Sequence, residues 1–163
     1  MIIFIVSFLS FILEYIVNGL FHGTIFSGLI IFSSMVILEP YFKKEKNKFF
    51  VFCFILGFLF DLIYTGTYFL NAGLFLSIGV IISFINRVTP NNFIVTILEL
   101  IFLICVYRIF SFMFMFFNGI VSFDLDILCK SIYCYLITNV LYGSFLYFIL
   151  YLISLRFKIK RIN

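Results

Sequence analysis

Charged residues are scarce in this 163-residue chain: Asp, Glu, Lys and Arg make up 11% of it, against about 25% in a typical soluble domain. Hydrophobic residues make up 65%, and the mean hydropathy is +1.28. This composition excludes a water-soluble globule and predicts an integral membrane protein. Because one membrane helix takes roughly 20 residues, several spans use almost the whole chain, and no soluble domain is expected.

Residue types that carry catalysis or bind metals are also rare. His22 is the only histidine, so an H-E-x-x-H zinc site and a Ser/His pair are both missing, as are the paired-aspartate motifs of intramembrane proteases. Asp124-Leu125-Asp126 lacks the further oxygen ligands of a calcium loop, and a helix that begins with acids explains it better. The cysteines do not cluster as metal ligands do, and we expect them to be buried free thiols. They are Cys53, Cys105, Cys129 and Cys134. We therefore predict no enzyme activity, no catalytic residue, no metal and no cofactor.

Alanine occurs once, at Ala72, and tryptophan does not occur. The amino terminus also lacks a basic region, so the pattern of a cleaved signal peptide is missing and the first helix is expected to remain. Apolar runs separated by polar breaks predict six membrane helices, at about 2–17, 24–42, 49–65, 67–86, 91–117 and 131–155. The predicted fold is all-α, with a single polytopic membrane domain over 1–163.

Basic residues are concentrated in the predicted loops of one side. Short basic loops remain in the cytoplasm, and nine basic residues fall on that side in a six-span topology, against Lys130 alone on the other. The nine are Lys43, Lys44, Lys46, Lys48, Arg87, Arg156, Lys158, Lys160 and Arg161. Both termini are therefore predicted to be cytoplasmic. Topology and anionic headgroups account for the net charge of +4, so nucleic-acid binding is not expected.

Four ionisable residues lie within the predicted spans: Glu14, Asp61, Glu99 and Arg108. At ~1.5 Å per residue, Glu14 and Asp61 lie roughly 18 Å and Arg108 roughly 22 Å from the cytoplasmic helix starts, whereas Glu99 is shallower and points away from Arg108. We expect Arg108 to pair across helices with Asp61 or Glu14, because a lone charge in hydrocarbon is costly. The rival hypothesis is a proton or ion relay, for which spans three to five offer few polar residues.

One hairpin carries an unusual pattern, G-x-x-x-D-L-x-x-x-G-x-x-x-L-N-A, with a turn at Thr65-Gly66-Thr67 that is too short for a soluble loop. Asp61 precedes the turn and Asn71 follows it, so Asp61 is predicted to face neighbouring helices. The pattern resembles that of the rod shape-determining protein MreD family. The residues that match are Gly57, Asp61, Leu62, Gly66, Leu70, Asn71 and Ala72.

The resemblance implies a non-enzymatic scaffold of the bacterial cell-elongation complex in the cytoplasmic (inner) membrane. Its expected partner is an MreC-like protein with one membrane helix, alongside MreB filaments and the glycosyltransferase and transpeptidase that build peptidoglycan. The implied fold resembles the six-helix substrate-binding component of energy-coupling-factor transporters. Contact with the partner is expected through lateral helix packing in the bilayer, near the hairpin of spans three and four, where small residues permit close approach.

The same fold supplies an alternative function, a vitamin-binding component of an energy-coupling-factor transporter. Such components dock their transport partner through an Ala-x-x-x-Ala pattern, which a chain with one alanine lacks. Polar side chains for a hydrophilic ligand are also few. An ordinary membrane assembly factor is a third class that the sequence leaves open.

Overall fold

A computed structural model describes residues 2–20, 29–42, 45–65, 69–90 and 92–157. About 91% of this described part is helical, and it contains no strand. The α-helices are α1 (Ile2–Leu20), α2 (Ile30–Leu38), α3 (Lys46–Phe60), α4 (Leu70–Val88), α5 (Phe93–Phe117) and α6 (Leu125–Phe157). A 3₁₀ turn, Glu39–Phe42, follows α2, and a π-helical turn, Asp61–Thr65, follows α3.

Five of the described helices are long and apolar enough to cross a membrane: α1, α3 with its π-helical turn, α4, α5 and α6. The predicted second span, 24–42, differs from the others. Its described helical part is Ile30–Phe42, which is shorter than the roughly 20 residues that a hydrocarbon core requires, and 24–28 lie outside the described residues. The helical membrane-protein class is thus supported, whereas the sixth span is not.

The short helix α2 forms the centre of the bundle. All nine of its residues are buried, including Ser33 and Ser34. It contacts α1, α5 and α6, so protein surrounds it instead of lipid. A helix without a polar face is buried either in lipid or in the core of a protein, and here neighbouring helices bury it.

Among the other helices, α3 packs most extensively on α4 and α5 packs most extensively on α6. An aromatic group joins α2 to α4 and α5: the ring centroid of Phe32 lies 5.9 Å from that of Phe75 and 5.6 Å from that of Tyr107. These tilted and edge-on arrangements are favoured by aromatic quadrupoles. The large side chains on the outer faces, such as Phe84 and Phe110, are apolar and more than half exposed, as expected of a surface in contact with lipid.

Several helix boundaries differ from the sequence prediction. Helix α1 continues to Leu20, three residues beyond the end predicted at 17, and 21–23 lie outside the described residues. Helix α4 ends at Val88, and the next residue, Thr89, is extended (ψ 147°), the conformation that a following proline favours. Pro90 lies between α4 and α5.

Helix α6 begins six residues earlier than predicted, and its acids lie where the sequence suggested. Asp126 is in the first turn, and its backbone N–H donates to Oδ1 of Asp124 at 2.8 Å. The predicted helix start with acids at this position is therefore confirmed, since a carboxylate satisfies an N–H group that the helix leaves free. Of the free cysteines, Cys53 and Cys134 are buried as expected, but Cys105 is only partly buried and Cys129 is exposed.

Candidate functional site

Asp61 closes the hairpin of α3 and α4. Its side chain is 1% exposed, and its two carboxylate oxygens accept hydrogen bonds from the start of α4. Oδ1 accepts from the backbone N–H of Asn71 (3.2 Å) and from its side-chain Nδ2 (2.8 Å), and Oδ2 accepts from the backbone N–H of Ala72 (3.0 Å). We call this arrangement of Asp61, Asn71 and Ala72 the hairpin clasp.

The clasp satisfies a helix end that lies inside the protein. The first N–H groups of a helix have no partner within it, and the positive end of the helix dipole favours a carboxylate there. In bilayer hydrocarbon no water replaces such a partner. Phe69, just before α4, adopts a left-handed conformation (φ 61°), which is unfavourable for a bulky residue. Asp61 therefore stabilises the start of α4, although the conformation of the residue before it is unfavourable.

Gly57 permits the contact between the two helices of the clasp. A Cβ atom placed on Gly57 would lie 2.7 Å from Cα of Ala72 and 2.8 Å from the carbonyl carbon of Asn71. These neighbours are backbone atoms and cannot rotate away. Ala72 is itself fully buried, so small residues on both helices bring the backbones together. Gly66, which also belongs to the pattern, lies outside the described residues.

Tyr107 extends the clasp to α5. Its hydroxyl donates to Oδ1 of Asn71 at 2.6 Å, and its ring packs against Phe32 of α2 and Phe75 of α4. The ring is 4% exposed. Asn71 thus donates to one helix and accepts from another, so a single amide joins three helices of the bundle.

Glu14 performs a similar task for α2. The residue is fully buried, and Oε2 accepts the backbone N–H of Ile31, in the first turn of α2, at 2.9 Å. Oε1 accepts no hydrogen bond in the described part of the chain. One turn before Glu14, the carbonyl of Phe11 accepts the hydroxyl of Tyr64 at 3.0 Å. Glu14 and Asp61 therefore each bind the amino-terminal end of a following helix.

Arg108 does not make the ion pair that the sequence predicted. Its guanidinium lies 4.3 Å from the ring centroid of Tyr135 on α6, a cation–π contact. No ion pair joins it to Asp61 or Glu14 within the described residues. Backbone N–H groups, which a list of side chains omits, bind the carboxylates of Asp61 and Glu14 instead.

Glu99 lies near the other end of α4, away from the hairpin clasp. It is 5% exposed, and its Oε1 lies at 3.5 Å from Nδ2 of Asn86 on α4. Buried Glu39, in the 3₁₀ turn after α2, is near enough to interact with it electrostatically. Glu99 therefore belongs to a second polar region, as its shallower predicted depth implied, and the described residues include no group of His, Cys, Asp and Glu that could hold a metal ion.

Sequence reasoning missed a polar seam between α1, α2 and α6. The hydroxyl of Ser10 lies 2.8 Å from that of Tyr142, and the hydroxyl of Ser33 donates to Oδ1 of Asn139 at 2.9 Å. The spacing Ser7, Ser10, Glu14 repeats at three and four residues and puts all three on one face of α1. This spacing could have predicted a polar face on α1. It was not used, because single serines are common in membrane helices.

An apolar groove runs between α4 and α5 on the outside of the bundle, and we call it the α4–α5 groove. Its volume is about 580 Å³, and it is almost entirely apolar. The lining residues are Leu70, Gly73, Leu74, Ile109, Phe110, Met113, Phe114 and Phe117. A Cβ atom on Gly73 would meet nothing within 4 Å, in contrast to Gly57. Gly73 thus leaves an open place on the surface of the same hairpin that the clasp holds.

Comparisons with protein-family models, curated proteins and solved structures give no match to this chain.

Proposed function

We propose that this chain is a non-enzymatic membrane scaffold of the bacterial cell-elongation complex, similar in role to MreD, and that it binds an MreC-like single-span protein. The observation that carries the proposal is that one side of the hairpin holds its two helices together, whereas the other side presents an open groove. Gly57, Asp61, Asn71 and Ala72, which carry the resemblance, hold the hairpin from inside. Gly73 opens a groove on its outer side.

The proposed mechanism is docking of the partner helix in the α4–α5 groove. Within a bilayer, helices associate through close packing, and small residues at the contact let backbones approach. Gly73 and Ser77, one turn apart on α4, are both exposed, so they offer such a contact. The clasp keeps α4 at a fixed distance from α3 and thereby keeps this surface rigid. Binding requires no polar chemistry, in agreement with a groove that is almost purely apolar.

The proposed location is the cytoplasmic (inner) membrane of a bacterium, with both termini in the cytoplasm. Five described helices of sufficient length and apolarity support a multi-pass protein, and the one-sided distribution of basic residues supports the orientation. Through its partner, the scaffold would organise peptidoglycan synthesis by the glycosyltransferase and transpeptidase alongside MreB. A six-span fold like that of the vitamin-binding components belongs to the same proposal.

Copurification tests the partner. The chain, tagged and expressed in a rod-shaped bacterium, is purified from native membranes in mild detergent, and associated proteins and small molecules are identified by mass spectrometry. An MreC-like protein in the eluate supports the scaffold. A bound vitamin together with ATPase subunits supports the transporter component instead, and contradicts the scaffold.

A pair of variants tests the groove. Gly73→Leu fills the groove floor with a branched side chain, whereas Val80→Leu adds a similar side chain to an exposed position of α4 outside the groove. We expect Gly73→Leu to abolish recovery of the partner and Val80→Leu to leave it unchanged, with both variants folded. Equal recovery with both variants would refute docking in the groove. Cells that depend on Gly73→Leu are expected to become round.

A further inference from the structure

Arg108 is a cation at membrane depth that no acidic side chain of the described chain neutralises. Asp61 gives both oxygens to the start of α4, and Glu14 gives one to α2. The only contact found for the guanidinium among the described residues is the ring of Tyr135. No hydrogen bond leads from it to an acceptor within that same part of the chain, and its Nε is buried.

The surroundings of Arg108 favour an anion from outside the protein. Burying a charged donor without an acceptor is unfavourable, and stacking on an aromatic ring leaves the edge of the guanidinium plane free to donate. Arg108 is only partly buried, so part of its side chain remains open to the surroundings of α5 and α6.

The position along α5 indicates where that anion comes from. Arg108 lies nine residues before the end of α5 at Phe117, or ~13 Å at 1.5 Å per residue. The flexible arginine stem lets its charge approach the interface from such a depth, which is how membrane arginines lower their cost. Phosphate groups of lipids are the anions present there, and the forked guanidinium matches phosphate oxygens in pairs.

We propose that Arg108, supported by the ring of Tyr135, binds the phosphate of an anionic phospholipid in the leaflet where α5 ends. The site is distinct from the α4–α5 groove, whose lining residues on α5 do not include Arg108. It therefore does not depend on the proposed partner.

Lipid titration of the purified full chain tests this site. The probes are dioleoyl phosphatidylglycerol and, as a phosphate-free analogue, dioleoylglycerol, each added to delipidated protein in neutral detergent and counted as adducts by native mass spectrometry. We expect phosphatidylglycerol to bind the wild type more tightly than dioleoylglycerol does. Arg108→Gln should weaken phosphatidylglycerol binding about tenfold, the effect of losing one charge-assisted hydrogen bond, and Arg108→Lys should restore part of it.

The control is Lys130→Gln, which removes an exposed cation from α6 and should change binding by less than about twofold. Tyr135→Leu removes the supporting ring, keeps Arg108, and should weaken binding by a few-fold; it serves as the deciding variant if Arg108→Gln does not fold. Wild-type affinity in both Arg108→Gln and Tyr135→Leu, or equal binding of the two lipids, would overturn the proposal. Displacement of phosphatidylglycerol by 10 mM inorganic phosphate would support an anion site but overturn the lipid as its ligand.

Discussion

Replacing Asp61 by alanine is expected to loosen the α3–α4 hairpin. The change removes three hydrogen bonds and leaves the backbone N–H groups of Asn71 and Ala72 without their carboxylate acceptor in a site that is 1% exposed. Hydrogen bonds between membrane helices contribute about 0.6 to 2 kcal/mol each, and bonds to a charged acceptor lie in the upper part of that range. We expect a loss of about 3 kcal/mol in the free energy of separating the two helices.

Cys53 provides the assay, because it is buried and free in the interface of α3 and α4, where a Cβ on Gly79 would lie 2.7 Å from its Sγ. The rate of maleimide labelling at Cys53 is measured in detergent. The other cysteines are first replaced by serine, namely Cys105, Cys129 and Cys134. A loss of about 3 kcal/mol increases the population of the open hairpin, and hence this rate, roughly a hundredfold. Asp61→Asn keeps one acceptor oxygen and should fall between the two.

Glu45→Gln is the matched control, since it removes an exposed acid whose ion pair with Lys48 lies on the surface and contributes at most about 1 kcal/mol. Labelling of Cys53 should then remain near the wild-type rate. If Asp61→Ala is labelled within twofold of the wild-type rate, the clasp does not hold the hairpin, and the structural basis for the rigid α4 surface is lost.

Three further outcomes follow from the contacts. Gly57→Ala should lower the thermal stability of the purified protein strongly, because a Cβ atom at Gly57 meets backbone atoms. Gly73→Ala should leave the stability unchanged or slightly raised, because a Cβ atom at Gly73 meets open space. Equal melting temperatures of the two variants would contradict this packing. Tyr107→Phe removes the hydrogen bond to Asn71 and should cost about 1 kcal/mol, measured by the same Cys53 labelling, and a neutral result would remove α5 from the clasp. Glu14→Gln keeps a carbonyl oxygen for the start of α2 and should be tolerated, whereas Glu14→Leu should lower the stability of the protein by about 2 kcal/mol. Thermal unfolding in detergent measures this difference, and an equal loss of stability in both variants would contradict the role of Glu14.

The sequence predicted the inward-facing side chain of Asp61 because one rule dominates in hydrocarbon: a charged group is buried against protein. Similar depths for Glu14, Asp61 and Arg108 follow from the constant helix rise and stay a prediction. Their partners could not be predicted in the same way. The groups that bind the carboxylates are backbone N–H groups of Ile31, Asn71 and Ala72, and every residue type supplies one.

The enclosure of α2 was missed for a related reason. Hydropathy measures how apolar a segment is and does not distinguish lipid from protein as its surroundings. The sequence therefore predicted a span over 24–42 but could not predict that Ile30–Leu38 is buried on all sides and contacts α1, α5 and α6. The π-helical turn Asp61–Thr65 was not predicted from the sequence either.

The enclosure of α2 has a consequence for how the protein is made. Synthesis proceeds from the amino terminus, so α2 leaves the ribosome long before α5 and α6, which form most of its final surroundings. During that interval its buried hydroxyls, such as Ser33, lack the later-made residue Asn139. The contacts that enclose α2 are therefore completed only after the last helix, α6, has been made.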